Sequence, residues 1–164
     1  MESTPLAGWS EFGVAAAGAA AALAGLLIVA ISVNVREILA YAPLVSRAAA
    51  TVGTLVLALV AGLLLLIPGQ PVAWFGVEVM AATAVALIFD IDAIVRAVRF
   101  QPRRPLRELL STAAMSLVPR ALFVAGGILL IVSGWGVGFI AAGIVLAIVA
   151  ATVNSWVLLV EILR

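Results

Sequence analysis

The sequence contains no cysteine and no histidine, which excludes much of the chemistry found in enzyme active sites. Without cysteine there is no disulfide, no thiolate nucleophile and no cysteine-ligated zinc or iron–sulfur centre. Without histidine there is no Ser-His dyad and no imidazole ligand for haem. Asp90 and Asp92 stand about 200° apart around one helix, so they do not face each other as paired catalytic aspartates would. We therefore predict no enzymatic activity, no metal site and no cofactor.

Charged residues are also scarce, and lysine is missing altogether. Only 10% of the residues are charged, whereas soluble domains carry about 25%. Hydrophobic residues make up 66% of the chain, and its mean hydropathy is +1.32. This composition predicts a single domain, residues 1–164, that is surrounded mainly by lipid.

Long apolar stretches dominate what is present. A helix needs about 20 residues, at about 1.5 Å per residue, to cross roughly 30 Å of hydrocarbon. The five stretches near this length cover residues 12–34, 48–67, 72–95, 119–133 and 137–160. The fold class is therefore predicted to be all-α, a polytopic transmembrane bundle of five spans.

The positions of the arginines predict the orientation of these spans. Arginines occupy the connections 35–47 and 96–107, whereas the turns 68–71 and 133–136 contain none. Because basic loops stay in the cytoplasm, the N-terminus is expected outside and the C-terminus inside, in a multi-pass cell-membrane protein. Tryptophan prefers membrane interfaces. Consistent with this orientation, three tryptophans fall at the predicted outer ends: Trp9, Trp74 and Trp135.

A basic surface is predicted around the third connection. Residues 106–117 carry leucines on one face and polar side chains on the other, which is typical of an amphipathic helix on the inner membrane surface. The basic set comprises Arg96, Arg99, Arg103, Arg104, Arg107 and Arg120. These arginines attract anionic lipid headgroups, or they dock an acidic partner or a specific lipid. Nucleic-acid binding is not expected, because no soluble domain presents the charges.

Arg120 is interpreted through a short internal repeat. The string 44–48 (LVSRA) recurs as 117–121 (LVPRA), and both copies come just before an apolar span. The repeat aligns Arg120 with Arg47 at the inner interface. Pro119 would then occupy the first turn of a helix, where its missing N–H costs nothing. We expect Arg120 to be an interfacial anchor whose guanidinium reaches toward the headgroups.

Polar residues inside the apolar spans form a candidate intramembrane site: Glu78, Asp90, Asp92, Asn34 and Asn154. Glu78 lies roughly 10 Å below the outer surface. It is interpreted either as an ion or proton site or as a carboxyl that packs against another helix. Asp92 has Arg96 four residues later, which predicts an ion pair. Asp90 has no such partner and is expected to face Arg36, Arg47 or the bundle interior. The two asparagines are interpreted as packing groups between helices.

Several segments resemble a known group of proteins. These are 8–12 (GWSEF), 23–34 (LAGLLIVAISVN), 36–39 (REIL), 68–70 (PGQ) and 154–164 (NSWVLLVEILR). Together they are similar to small actinobacterial membrane proteins, some of which carry the label modulator of FtsH protease. The likeness extends over nearly the whole chain and implies a five-span fold, but it assigns no active residues.

Two functional hypotheses remain open from the sequence. The first is a non-enzymatic accessory or regulatory subunit of a membrane complex. The second is a small homo-oligomeric ion or proton channel, or an ion-coupled carrier, that uses Glu78 and Asp90. Small residues at four-residue spacing allow close helix contacts within one chain, in a homo-oligomer or in a larger complex. Membrane lipids are expected partners in either case.

Overall fold

The computed structural model describes residues 6–100 and 106–162, and this part of the chain is helical throughout except for short turns. A 3-10 helix at Ala7–Trp9 precedes six α-helices. These are α1 (Ser10–Val33), α2 (Val35–Ala40), α3 (Ala42–Leu64), α4 (Val72–Phe100), α5 (Leu106–Ser133) and α6 (Val137–Ile162). The described residues contain no β-strand.

Five of these helices are long and apolar enough to cross a membrane, which confirms the predicted number of spans. Their candidate spans are Ser10–Val33, Ala42–Leu64, Val72–Arg96, Ala114–Ser133 and Val137–Leu158. Helix α3, which contains the second candidate span, begins at Ala42, six residues before the predicted start of that span at residue 48. Pro43 lies in its first turn, where proline fits because the missing N–H would have no helical partner.

The predicted separation between a surface helix at 106–117 and a span at 119–133 is wrong. A single helix, α5, runs through both segments with Pro119 inside it. Proline removes only one i to i−4 hydrogen bond, and neighbouring helices make this loss tolerable within a membrane-spanning helix. Pro119 is buried, and its carbonyl oxygen lies close to Gly143 of α6, so α6 packs against α5 at this point.

Four of the helices form a closed ring. Helix α3 packs against α4, α4 against α5, α5 against α6, and α6 back against α3. Helix α1 lies outside this ring, mainly against α3 and to a smaller extent against α6. The core inside the ring is apolar, and its largest fully buried apolar side chains include Phe75, Phe123, Ile140 and Ile144.

Glycines allow the backbones of neighbouring helices to touch. A Cβ atom on Gly62 of α3 would lie 3.0 Å from the backbone nitrogen of Ala17 in α1. A Cβ atom on Gly76 of α4 would lie 2.9 Å from the carbonyl oxygen of Gly127 in α5. In contrast, Gly18 and Gly25 of α1 are exposed, and a Cβ atom on either one would meet no atom of another helix within 4 Å.

Candidate functional site

A buried ion pair joins α4 to α5 inside the four-helix ring. Asp90 and Arg120 have side chains that are 0% and 2% exposed, and Arg120 Nε lies 2.7 Å from Asp90 Oδ2. Arg120 Nη2 also donates a hydrogen bond of 3.2 Å to Asp90 Oδ1. Both residues lie in otherwise apolar helices and are buried, so each charge needs a partner.

Thr54 connects this ion pair to α3. Arg120 Nη2 donates a 2.8 Å hydrogen bond to Thr54 Oγ1. Thr54 Oγ1 in turn donates to the carbonyl oxygen of Ala50, one turn earlier in its own helix, which orients the threonine lone pairs toward the arginine. Three of the four ring helices therefore meet at one guanidinium group.

The hydrogen bonding around Arg120 is incomplete within the described part of the chain. Its Nη1 atom is buried and has no acceptor there, and the short Nε to Oδ2 contact lacks hydrogen-bond geometry. A buried charge that is only partly satisfied contributes little net stability, but removing its partner is costly. We therefore expect the pair to set the relative positions of α3, α4 and α5 and to add little net stability to the folded state.

The expectation that Arg120 is an interfacial anchor and part of a basic surface is wrong. Its side chain is buried in the ring and paired with Asp90. The repeat predicted the wrong position for Arg120 because its two copies occupy different places in their helices. Arg47 lies in the second turn of α3, whereas α5 begins at Leu106 and has completed almost four turns before Arg120.

A second polar cluster lies between α3 and α4, nearer the C-terminal end of α4. Arg96 Nε donates to Asp92 Oδ1 at 2.8 Å, as the four-residue spacing predicted. Ser46 of α3 donates to Asp92 Oδ2 at 2.9 Å. Both ionic side chains are about half exposed, 45% for Arg96 and 46% for Asp92. Solvent screening makes such a pair weak, so this cluster remains open to other charged groups.

Glu78 lies near the opposite end of the bundle and has a partner in the turn before its own helix. Gln70 Nε2 donates a hydrogen bond to Glu78 Oε2. Gln70 is 8% exposed, and its Oε1 atom is buried without a hydrogen-bond partner in the described chain. Glu78 itself is half-buried. The carboxyl is therefore hydrogen-bonded to a loop amide, not to a polar group of a neighbouring helix.

An apolar layer separates the pair at Glu78 from the pair at Asp90. The two carboxyl residues are twelve positions apart on α4, which corresponds to about 18 Å along the helix axis. Between these levels, the ring is filled by side chains that are fully buried, among them Val79, Phe123 and Ile144. The hydroxyl of Thr83 is also buried there, but it donates to the carbonyl of Val79 within its own helix.

The remaining predicted site residues are dispersed. Asn34 donates from its side chain to the carbonyl of Ala30 at the end of α1, and Asn154 is half-buried on α6. Arg99 is exposed near the end of α4. Three arginines of the predicted surface, Arg103, Arg104 and the side chain of Arg107, lie outside the described residues. Within the described part, no three acidic, histidine or cysteine residues cluster to hold a metal ion.

Sequence reasoning missed the polar residues that complete these clusters: Ser46, Thr54 and Gln70. A hydroxyl inside an apolar span usually bonds to its own backbone, so Thr54 gave no signal that separates it from Thr51. Both threonines bond to the carbonyl four residues earlier, but only Thr54 also accepts from Arg120. That difference depends on which helix lies opposite, which spacing along one span does not reveal.

Comparison with known proteins returned no relative for this chain. No protein-family model, no curated protein and no solved structure matches it.

Proposed function

We propose that this chain is a non-enzymatic accessory or regulatory subunit of a membrane complex, with the N-terminus outside and the C-terminus in the cytoplasm. The proposal rests on the way in which the charged residues inside the spans are paired. Asp90 and Arg120 neutralise each other inside the ring, and Thr54 binds the same guanidinium. These groups hold three helices together, which is the role of structural polar contacts in membrane bundles.

The apolar layer supports the same proposal. An ion that crossed the ring interior would pass from the level of Glu78 to that of Asp90, about 18 Å along α4, through a core of buried and mostly apolar side chains. An ion without its hydration shell is very unfavourable in such surroundings. The interior of one protomer is therefore better suited to rigidity than to conduction.

The exposed arginines of the described residues lie at one end of the molecule and offer a surface for a partner. Arg36 of α2 and Arg99 of α4 are both exposed. We place this end in the cytoplasm because of the arginine distribution. We further propose that α5 before Ala114, where its candidate span begins, lies at this inner interface. An acidic partner would contact these arginines while its own spans pack laterally against the bundle.

Site-specific photo-crosslinking in native membranes tests the proposal. A photoreactive residue replaces the exposed Val98 beside Arg99, and the control replaces the exposed Trp135 at the opposite end. We expect one adduct of defined mass from Val98, lost in an Arg36→Glu, Arg99→Glu double variant that retains its helical content. The absence of that adduct, or an equal adduct from Trp135, would contradict the proposal. An adduct of twice 16.8 kDa would instead identify a second copy.

The alternative is a homo-oligomeric ion or proton channel, or an ion-coupled carrier. The half-buried position of Glu78 favours it, because a partly exposed carboxyl can line a path between protomers even when each ring interior is closed. This alternative requires ion flux that depends on Glu78, so Glu78→Gln in proteoliposomes separates the two functions.

A further inference from the structure

An apolar groove runs along the outer side of the contact between α3 and α4. It encloses about 210 Å³ and is lined by Gly53, Val56 and Val60 of α3 and by Ala82, Val85 and Phe89 of α4. Cavities of about 150 Å³ with apolar walls already bind a ring as large as benzene, so this groove accommodates a segment of hydrocarbon chain. In a membrane-spanning bundle, the groove opens toward lipid.

The polar cluster of Ser46, Asp92 and Arg96 lies beyond the Gly53 and Phe89 end of the groove, on the same two helices. Ala82, Phe89 and Arg96 follow one another at seven-residue intervals, which places them on one stripe of α4. Ser46 lies seven residues before Gly53 on α3, so the facing helix presents a parallel stripe. A molecule in the groove therefore has its polar end at Arg96.

The spacing along this stripe matches one lipid leaflet. Phe89 lies about 10 Å from Arg96 along the helix, and Ala82 lies about 21 Å away. One leaflet contributes roughly 15 Å of hydrocarbon. A phosphate at Arg96 would therefore direct an acyl chain along the groove from Phe89 toward Val85.

The charge at the Arg96 end of the groove favours an anionic headgroup. Asp92 accepts one N–H of Arg96, and the half-exposed guanidinium retains other N–H groups that can bind phosphate oxygens. Arg99 is exposed one turn further along α4. One carboxylate and two guanidinium groups leave this end of the groove with a net positive charge, which complements an anionic headgroup.

We propose that the groove between α3 and α4 binds one anionic phospholipid, with its phosphate at Arg96 and an acyl chain against Gly53 and Phe89. The inference rests on the membrane-spanning arrangement and is independent of the regulatory function proposed above.

Native mass spectrometry of the detergent-purified protein tests the headgroup. The probes are dioleoyl phosphatidylglycerol and dioleoyl phosphatidylcholine, which have the same acyl chains. We expect preferential retention of one phosphatidylglycerol, and a decrease of about fivefold in its retention for Arg96→Gln, the effect of one arginine near an anionic headgroup. The matched control is Arg36→Gln, which changes an exposed arginine on a different helix, α2. This variant should retain the lipid as the wild type does. Equal retention of both lipids by the wild type would overturn the proposal.

A second pair of variants tests the groove. Gly53→Leu places a side chain into it, and the nearest atom to the new Cβ would be Phe89 Cδ2 at an ordinary 3.7 Å. Gly18→Leu adds the same side chain to an exposed position of α1 with open space around it. We expect Gly53→Leu to lower phosphatidylglycerol retention several-fold and Gly18→Leu to leave it unchanged. If the two variants retain the lipid equally, the acyl chain does not occupy this groove.

Discussion

Removing one partner of the buried Asp90 and Arg120 pair should destabilise the bundle far more than removing both. Asp90→Leu leaves the Arg120 guanidinium, which is 2% exposed in the wild type, without its counter-ion. An uncompensated charge of this kind costs about 3–5 kcal/mol. Replacing both residues with apolar side chains of similar size, as in Asp90→Leu with Arg120→Met, removes the desolvated charges together. Such replacements are neutral or stabilising by about 1–4 kcal/mol in other proteins.

The assay is reversible unfolding in mixed micelles of mild detergent and dodecyl sulfate, followed by tryptophan fluorescence and circular dichroism. The free energies of unfolding of the wild type, Asp90→Leu, Arg120→Met and the double variant form a double-mutant cycle. We expect a coupling free energy of about 3 kcal/mol or more, with the double variant close to the wild type. If the single variants lose less than about 1 kcal/mol, or if their losses simply add, the pair does not join α4 to α5.

Three further predictions concern Thr54, Gly76 and the orientation of the chain. Thr54→Val should lower the free energy of unfolding by about 1.5 kcal/mol in the same assay, because it removes one hydrogen bond to the charged Arg120. An unchanged free energy of unfolding would show that Thr54 does not connect α3 to the ion pair. Gly76→Val should cost about 1–3 kcal/mol, because its Cβ would lie 2.9 Å from Gly127 O, whereas Gly18→Val in open space should be tolerated; equal losses would contradict the close approach of α4 and α5. Membrane-impermeant labelling of terminal tags should reach only the N-terminal tag in intact cells, and labelling of both tags would contradict the proposed orientation.

The number of spans could be predicted because hydrophobic length is a local property of the sequence. All five predicted stretches correspond to helices that are apolar enough to cross a membrane. The extent of α5 could not be predicted in the same way. Pro119 and the change in composition before it indicated a helix start, but the helix continues through Pro119.

The candidate site was predicted in part. The pair of Asp92 with Arg96 depends only on spacing along one helix, and it was anticipated. Asp90 was expected to face Arg36, Arg47 or the bundle interior. It is buried in the interior, but the arginine that pairs with it is Arg120, which was expected at the interface. Arg120 is distant from Asp90 in sequence, and the pairing exists only because the four-helix ring brings α5 beside α4. Such contacts follow from topology, which periodicity along separate spans does not specify.

The most direct test of this account is ion flux across liposomes that contain the purified protein. We propose that the charged residues inside the spans are paired within the chain and do not conduct ions. We therefore predict that proton and sodium flux under an applied membrane potential equals that of protein-free liposomes. Flux above that background that is abolished by Glu78→Gln, in a variant that still folds, would contradict the claim and establish conduction.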